Sequence, residues 1–147
     1  MREKQKKGSL LWVLDKTKTA MGARMLRSYI EQPLINKDEI IRRQDAIEEL
    51  NDCMIDREEL REYLNPVYDM ERIMTKISCK TANPRDLIAF RNTLEMIPHI
   101  KRIIGNFKAP MFTDCFNKMD DLSDLYQLVL SAIVDEPPIS VRDGGII

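Results

Sequence analysis

Side chains able to do chemistry are scarce in this chain. There is one histidine, His99, directly after Pro98. A single imidazole cannot build a multi-histidine metal site, and its expected place is a solvent edge or a helix cap. Cys53, Cys79 and Cys115 lie far apart with no Cys-x-x-Cys pair, so they read as free thiols, half-buried small apolar residues of a reducing compartment. Neither Gly-x-x-x-x-Gly-Lys-[Ser/Thr] nor Gly-x-Gly-x-x-Gly occurs, so no phosphate-cradling loop of those types is encoded. The acid pairs Glu48–Glu49, Glu58–Glu59 and Asp120–Asp121 fall in helical patterns, where adjacent residues point to different faces and usually form solvated surface. The expectation is a chain with no catalytic residue, no cofactor site and no metal site of its own.

Basic side chains offer binding instead of catalysis. Residues 1–30 hold eight basic and two acidic residues, a net of +6, whereas residues 31–147 hold 15 and 22, a net of −7. Such asymmetry suits an acidic surface, either nucleic acid or the rest of the same chain. Lys4, Lys6, Lys7, Lys16, Lys18, Arg24 and Arg27 are the candidates for DNA or interdomain contact, with Arg2 beside them. Phosphate contacts of this kind give affinity that weakens with salt. Trp12 alone interleaves an aromatic with the basic run, so stacking on single strands is poorly supplied. Structural placement of a helix is the simpler reading of this segment.

The elements that must carry these residues are helical. A hydrophobic fraction of 44% and a charged fraction of 32% over 147 residues fit one folded domain with a real core. No apolar run approaches the ~18–20 residues of a membrane span, and the charged start MREKQKK lacks the apolar segment and cleavage site of a secretory signal. Leu10–Leu14 is an apolar run ending at Asp15. Thr17 or Thr19 can cap the helix behind it, whose stripe is Met21, Met25, Leu26, Tyr29 and Ile30 and whose stop is Pro33. Asn36 with Glu39 opens a helix that buries Ile40, Ile47 and Leu50. Asp56 with Glu59 caps a short one, ended by Asn65–Pro66, and Asp69 caps another with Ile73, Met74 and Ile77 inward. Asn83–Pro84–Arg85–Asp86 is a strong start signal for the longest helix. Its stripe is Leu87, Phe90, Leu94, Ile97, Ile100 and Ile104, with Pro98 expected to kink or split it. Thr113 or Asp114 starts a short helix, and Asp121 or Ser123 caps a well-buried one ended by Asp135–Glu136–Pro137–Pro138. Ile139, Val141, Ile146 and Ile147 are strand-like around the turn signal Asp143–Gly144–Gly145. A strand pattern stopping at its turn is expected to continue beyond residue 147.

The order of residues carries more than their composition. The opening LLWxLDxTxTxMGxRxLRxxxxQPL, residues 10–34, resembles the start of the core domain of MutS proteins, the DNA mismatch-repair ATPases. Arg43 with Ala46–Leu50 resembles the family's R-x-x-A-V-x-x-L segment, and Tyr68–Ile73 its D-[LM]-E-R-[IL] step. Asn83–Leu87 matches [NS]-P-R-D-L. Asp135–Pro138 and Arg142–Gly145 resemble the run where the core leaves for the clamp, in the mismatch-repair branch and not the branch with a C-terminal nuclease. Five blocks in order cover nearly the whole chain.

The resemblance implies an all-α, irregular multi-helix bundle with a short extended C-terminal tail: a core segment over 1–136 and an extended connector over 137–147 leading toward a clamp. It implies the first part of a discontinuous core, which links mismatched-DNA binding to an ATPase domain and has no catalysis of its own. The mismatch-reading domain with its Phe-x-Glu motif, the connector, the clamp and the ATPase would lie elsewhere in the parent. Asp15, Thr17, Thr19, Gly22, Arg24, Pro33, Arg72, Pro84, Arg85 and Asp86 form the structural signature, with Gly22 a close-packing point. ATP and Mg, mismatched duplex DNA, a parent homodimer and a MutL-type partner belong to the parent, in a bacterial cytoplasm at the nucleoid. Apolar surface normally covered by the returning half of the core is expected to be exposed and to favour self-association. The competing reading from the residues is an autonomous helical module that binds nucleic acid or protein through its basic N-terminal face.

Overall fold

The longest helix organises the others. In the computed structural model, which describes residues 8–138 and 144–146, it spans Pro84–Ile104. Its start is a complete capping box. Asn83 Oδ1 accepts from Asp86 N at 2.9 Å, and Asp86 Oδ2 accepts from Asn83 N at 3.0 Å. Pro84 occupies the first turn, where a missing N–H costs nothing. In chain order the helices are α1 Leu10–Leu14, α2 Ala20–Glu31, α3 Lys37–Asp52, α4 Met54–Leu64, α5 Met70–Ser78, α6 Pro84–Ile104, α7 Pro110–Lys118 and α8 Ser123–Ala132. There is no strand among the described residues, so the fold there is all-α.

Helix α6 packs against α4, α5, α7 and α8, and α3 packs against α4 and α7. One core cluster joins Ile73 of α5, Phe90 and Leu94 of α6, and Val129 of α8, flanked by Met70, Ile77, Leu87, Ile97, Tyr126 and Ile133. Further along α6, Ile100, Ile103 and Ile104 are buried, as are Ala46, Phe107 and Ala109. Pro98 lies on the exposed side and α6 runs through it as one helix, so the expected split does not occur. His99 is exposed and stacks on Tyr63 of α4, with ring centroids 4.8 Å apart.

Three helix starts differ from the expectation, and none of them carries a side-chain cap hydrogen bond. Helix α4 begins at Met54 with Cys53 at its cap, so Asp56 lies inside the first turn. Helix α7 begins at Pro110, ahead of Thr113 and Asp114. The Glu49 carboxylate of α3 accepts from Lys108 N and Ala109 N, both at 2.7 Å, just before that start. Leu122, in the left-handed region, stands at the cap of α8 in place of Asp121 or Ser123, and Asp120 Oδ1 accepts its N–H at 3.0 Å.

Burial also departs from the periodic pattern. On α3 the buried residue is Ala46, and Ile47 is 57% exposed. Met25 and Met74 are exposed, as are Leu125, Leu128 and Leu130 of α8, which buries Val129 alone. Cys79 and Cys115 are exposed and only Cys53 is half-buried. Periodicity identifies an apolar face, but it does not supply a neighbour to cover that face. Beyond α8, Pro137 is buried and its carbonyl accepts from Arg85 Nε at 3.2 Å. Gly144 and Gly145 have φ of +71° and +66°, as a glycine turn requires, and Ile146 O accepts from Val134 N at 2.9 Å. The strand reading of Ile139, Val141 and Ile147 falls outside the described residues.

Leu94 is 1% exposed and Leu128 is 61% exposed. Urea unfolding is expected to show a loss of about 2–5 kcal/mol for Leu94→Ala and a change within about 0.5 kcal/mol for Leu128→Ala. Glu49→Ala strands two backbone donors before α7 and is expected to cost about 1.5–3 kcal/mol in the same measurement.

Candidate ionic coupling site

Two blocks distant in sequence meet through one guanidinium. Arg24 sits in the second turn of α2, whose first turn is fixed by Thr19: its Oγ1 accepts from Gly22 N at 2.9 Å. Asp15 Oδ1 accepts from Thr17 Oγ1 at 2.7 Å and from Thr17 N at 3.3 Å, which shapes the turn between α1 and α2. Thr17 is therefore a turn residue and Thr19 the cap. A Cβ on Gly22 would stand 3.0 Å from Thr19 Oγ1 and 3.6 Å from Thr17 Cβ, so a side chain there would press on the cap itself.

The receiving side is the start of α5. Asp69 caps that helix by accepting from Arg72 N at 3.3 Å. The loop before it is pinned by Thr93, a residue the sequence reading passed over. Thr93 is buried in α6, donates through Oγ1 to Ala89 O at 2.9 Å, and accepts from Tyr68 N at 3.0 Å. Its signal in the sequence was a hydroxyl one turn after Phe90, on the buried side of α6.

Arg24 then closes a fork. Nη1 donates to Asp69 Oδ2 and Nη2 to Asp69 Oδ1, both at 2.7 Å. Nε donates to Glu71 Oε2 at 2.9 Å, and Nη2 also reaches that oxygen. The Asp69 side chain is 15% exposed, against 41% for Arg24 and 68% for Glu71. Arg72 Nε approaches Asp69 Oδ2 at 3.3 Å from the solvent side. The hydrogen bonds that Arg24 donates to Asp69 and Glu71 push its pKa up, so it stays charged. The Arg24 hydrogen bond holds the Asp69 carboxyl below the usual carboxylate range, against the opposing effect of burial.

A cleft of about 720 Å³ extends from this junction between α5, the start of α6 and residues 135–137. Lys76 Nζ bonds Asp86 Oδ1 at 2.7 Å across it, and Arg91 Nη1 bonds Asp135 Oδ1 at 2.8 Å. Burial alone would raise the Asp86 pKa, but the Asn83 N–H and the Lys76 ammonium outweigh it and lower it. The structure thus brings Arg24, Arg72, Arg85 and Asp86 to one side of the molecule. Asp15, Thr17, Thr19 and Gly22 form a separate group at the α1–α2 junction. Pro84 is buried at the start of α6, and Pro33 is exposed in the link between α2 and α3.

The basic candidates divide. Lys16 and Lys18 are exposed, and Arg27 is exposed and bonds Glu31 one turn on at 2.8 Å. Arg24, though exposed, bonds the carboxylates of α5, so its charge serves an intramolecular contact. Lys4, Lys6 and Lys7 lie outside the described residues. Among the described residues no group of three or more histidine, cysteine, aspartate or glutamate side chains could hold a metal ion, and no helix is long and apolar enough to cross a membrane.

The family described as MutS domain III matches residues 1–147. A DNA mismatch repair protein MutS of Lachnoclostridium phytofermentans is 61% identical over 147 residues, which is 100% of this chain and 16% of that protein. DNA mismatch repair proteins MutS of Ruminiclostridium cellulolyticum and Acetivibrio thermocellus are 51% and 49% identical over 147 residues, with 17% of each covered. The chain therefore spans 16–17% of the length of these curated relatives.

The lowered pKa values of Asp69 and Asp86 set an acid dependence. A depressed carboxylate contributes stability that is complete above its unfolded pKa of about 3.9 and is lost as pH falls through the folded value. Asp86→Asn keeps an acceptor for Asn83 N but loses the charge facing Lys76. Urea midpoints measured between pH 7 and pH 2 are expected to fall less steeply for Asp86→Asn than for the unsubstituted chain, with the variant less stable at pH 7.

Proposed function

The chain belongs to the MutS domain III family, and from that premise we propose that it is the helical core segment of a DNA mismatch-repair protein, carrying displacements between the parts of a longer chain that hold DNA and hydrolyse ATP. The observation that supports this best is the junction of the sequence blocks. Residues of the opening segment, of the Tyr68–Ile73 step and of the Asn83–Leu87 helix start converge on α5 and α6, and α6 runs 21 residues from there to the far helices. Helices packed along their lengths shift as near-rigid bodies, so a displacement at one end reaches the other. Coupling of this kind is reciprocal: DNA biases nucleotide binding as much as nucleotide biases DNA binding.

In this reading the segment supplies no catalytic group. ATP and Mg belong to an ATPase part of the parent, and mismatched duplex DNA to its DNA-reading and clamp parts. A second copy of the parent and a MutL-type protein are its partners, in the bacterial cytoplasm at the nucleoid. The exposed apolar residues Leu10, Ile35, Ile55 and Leu128 would be covered by other parts of that longer chain.

Two measurements test the proposal. The 147-residue chain alone is expected to bind matched and mismatched duplexes negligibly by fluorescence anisotropy. Tight binding with a steep salt slope, equal for both duplexes, would overturn the proposal in favour of an autonomous binding module. In the full-length parent, Glu95→Gly softens α6 at an exposed position by about 1 kcal/mol. It is expected to reduce the effect of mismatched DNA on ATP hydrolysis while hydrolysis without DNA is retained.

A further inference from the structure

We propose that Arg24, Asp69 and Glu71 form an ionic latch that holds the α1–α2 unit against the helical bundle, and that the unit is released as a body when this latch opens. The inference concerns the contacts within this 147-residue chain, whose outward apolar faces the proposed function assigns to other parts of the parent.

Helices α3 to α8 form one packed network, whereas α1 and α2 pack chiefly against each other. Neither α1 nor α2 contains a buried residue, whereas α5, α6 and α8 share a buried cluster. Leu10, Trp12, Val13, Leu14 and Met25 are all exposed. Residues 32–36 join α2 to α3 without regular structure beyond Gln32 at the helix end, and Ile35 within them is 96% exposed. The hydrogen bonds that tie α2 to α5 all start at Arg24. A second tie is the Arg43 guanidinium of α3, centred 3.6 Å from the Tyr29 ring. Both contacts are electrostatic.

The two sides of the latch are built differently. Asp69 belongs to the rigid part: it caps α5, and Thr93 of α6 pins the residue before it. Arg24 reaches over from the weakly packed side, half in water. A bidentate guanidinium–carboxylate pair gives the closed state one defined geometry. Exposure leaves it open to screening, since the Debye length shrinks from about 10 Å at 0.1 M salt to about 3 Å at 1 M. An element whose apolar side chains are at most half-buried is the first to open when such a tie weakens.

The test measures position and not stability. With Cys53 and Cys115 replaced by serine and Ser28→Cys introduced, spin labels at residues 28 and 79 report the α2–α5 distance. At low salt a single narrow distribution is expected. Arg24→Gln and Asp69→Asn should each broaden it and shift it to longer distances, and asparagine keeps the α5 cap. Arg27→Gln removes the same charge from the same helix and should leave the distribution unchanged. Raising NaCl to 1 M should reproduce the Arg24→Gln result, with α6 amides still protected in hydrogen exchange. Coincident distributions for Arg24→Gln and Arg27→Gln would overturn the latch. So would loss of α6 protection in step with the distance change, which would make the pair part of the global fold.

Discussion

Leu94 and Ile103 are the large side chains most completely removed from water, and both belong to α6. Every helix from α4 to α8 packs against α6 or forms part of it. Burial of an aliphatic side chain stabilises by about 1.5–3 kcal/mol, and that contribution requires the backbone beneath it to be helical. The capping box at Asn83 and Asp86 matters for this reason. It satisfies backbone donors where α6 begins and sets the register in which Phe90, Leu94 and Ile97 face α5 and α8. The arrangement of α5, the Asp69 carboxylate and the cleft all follow from that register.

Polar groups do the positioning that apolar burial leaves undefined. Glu49 reaches from α3 to the backbone that leads into α7, which fixes the angle at which the chain leaves α6. Thr93 sits in the core and spends both its hydrogen-bonding capacities, one on its own helix and one on the loop that presents Asp69. Asp69 in turn serves two helices, capping α5 and receiving Arg24 of α2. A chain of such contacts transmits a change of position better than a purely apolar interface, because each bond is directional and fails when misaligned.

Packing is uneven along the chain, and the unevenness has a direction. Helices α5, α6 and α8 share one buried cluster, while α1 and α2 pack chiefly on each other and α2 meets α5 through charge. Apolar residues left in water lie on every helix but α6, and in the loop at Ile35. In the proposed reading these faces are surfaces that other parts of a longer chain would occupy.

The helix starts that a side chain caps were largely legible in the sequence, whereas those of α4, α7 and α8, which lack one, were not. Thr19, Asn36, Asp69 and Asn83 cap helices through atoms two or three residues away, Pro33 ends α2, and the stripe of α6 repeats within one element; these interactions require no knowledge of a partner. The family followed from the order of the blocks. What only the tertiary structure decided is which apolar faces are covered and which charges find partners. Ile47 and Leu128 share the periodicity of buried residues yet lie exposed, because no helix reaches them. The backbone leading into α7 is held by Glu49, 60 residues before Ala109, and Arg24, outwardly a phosphate-binding candidate, is turned to Asp69, 45 residues on. Short-range hydrogen bonds are written in neighbouring residues, whereas burial and long-range ion pairing exist only once distant helices have been brought together.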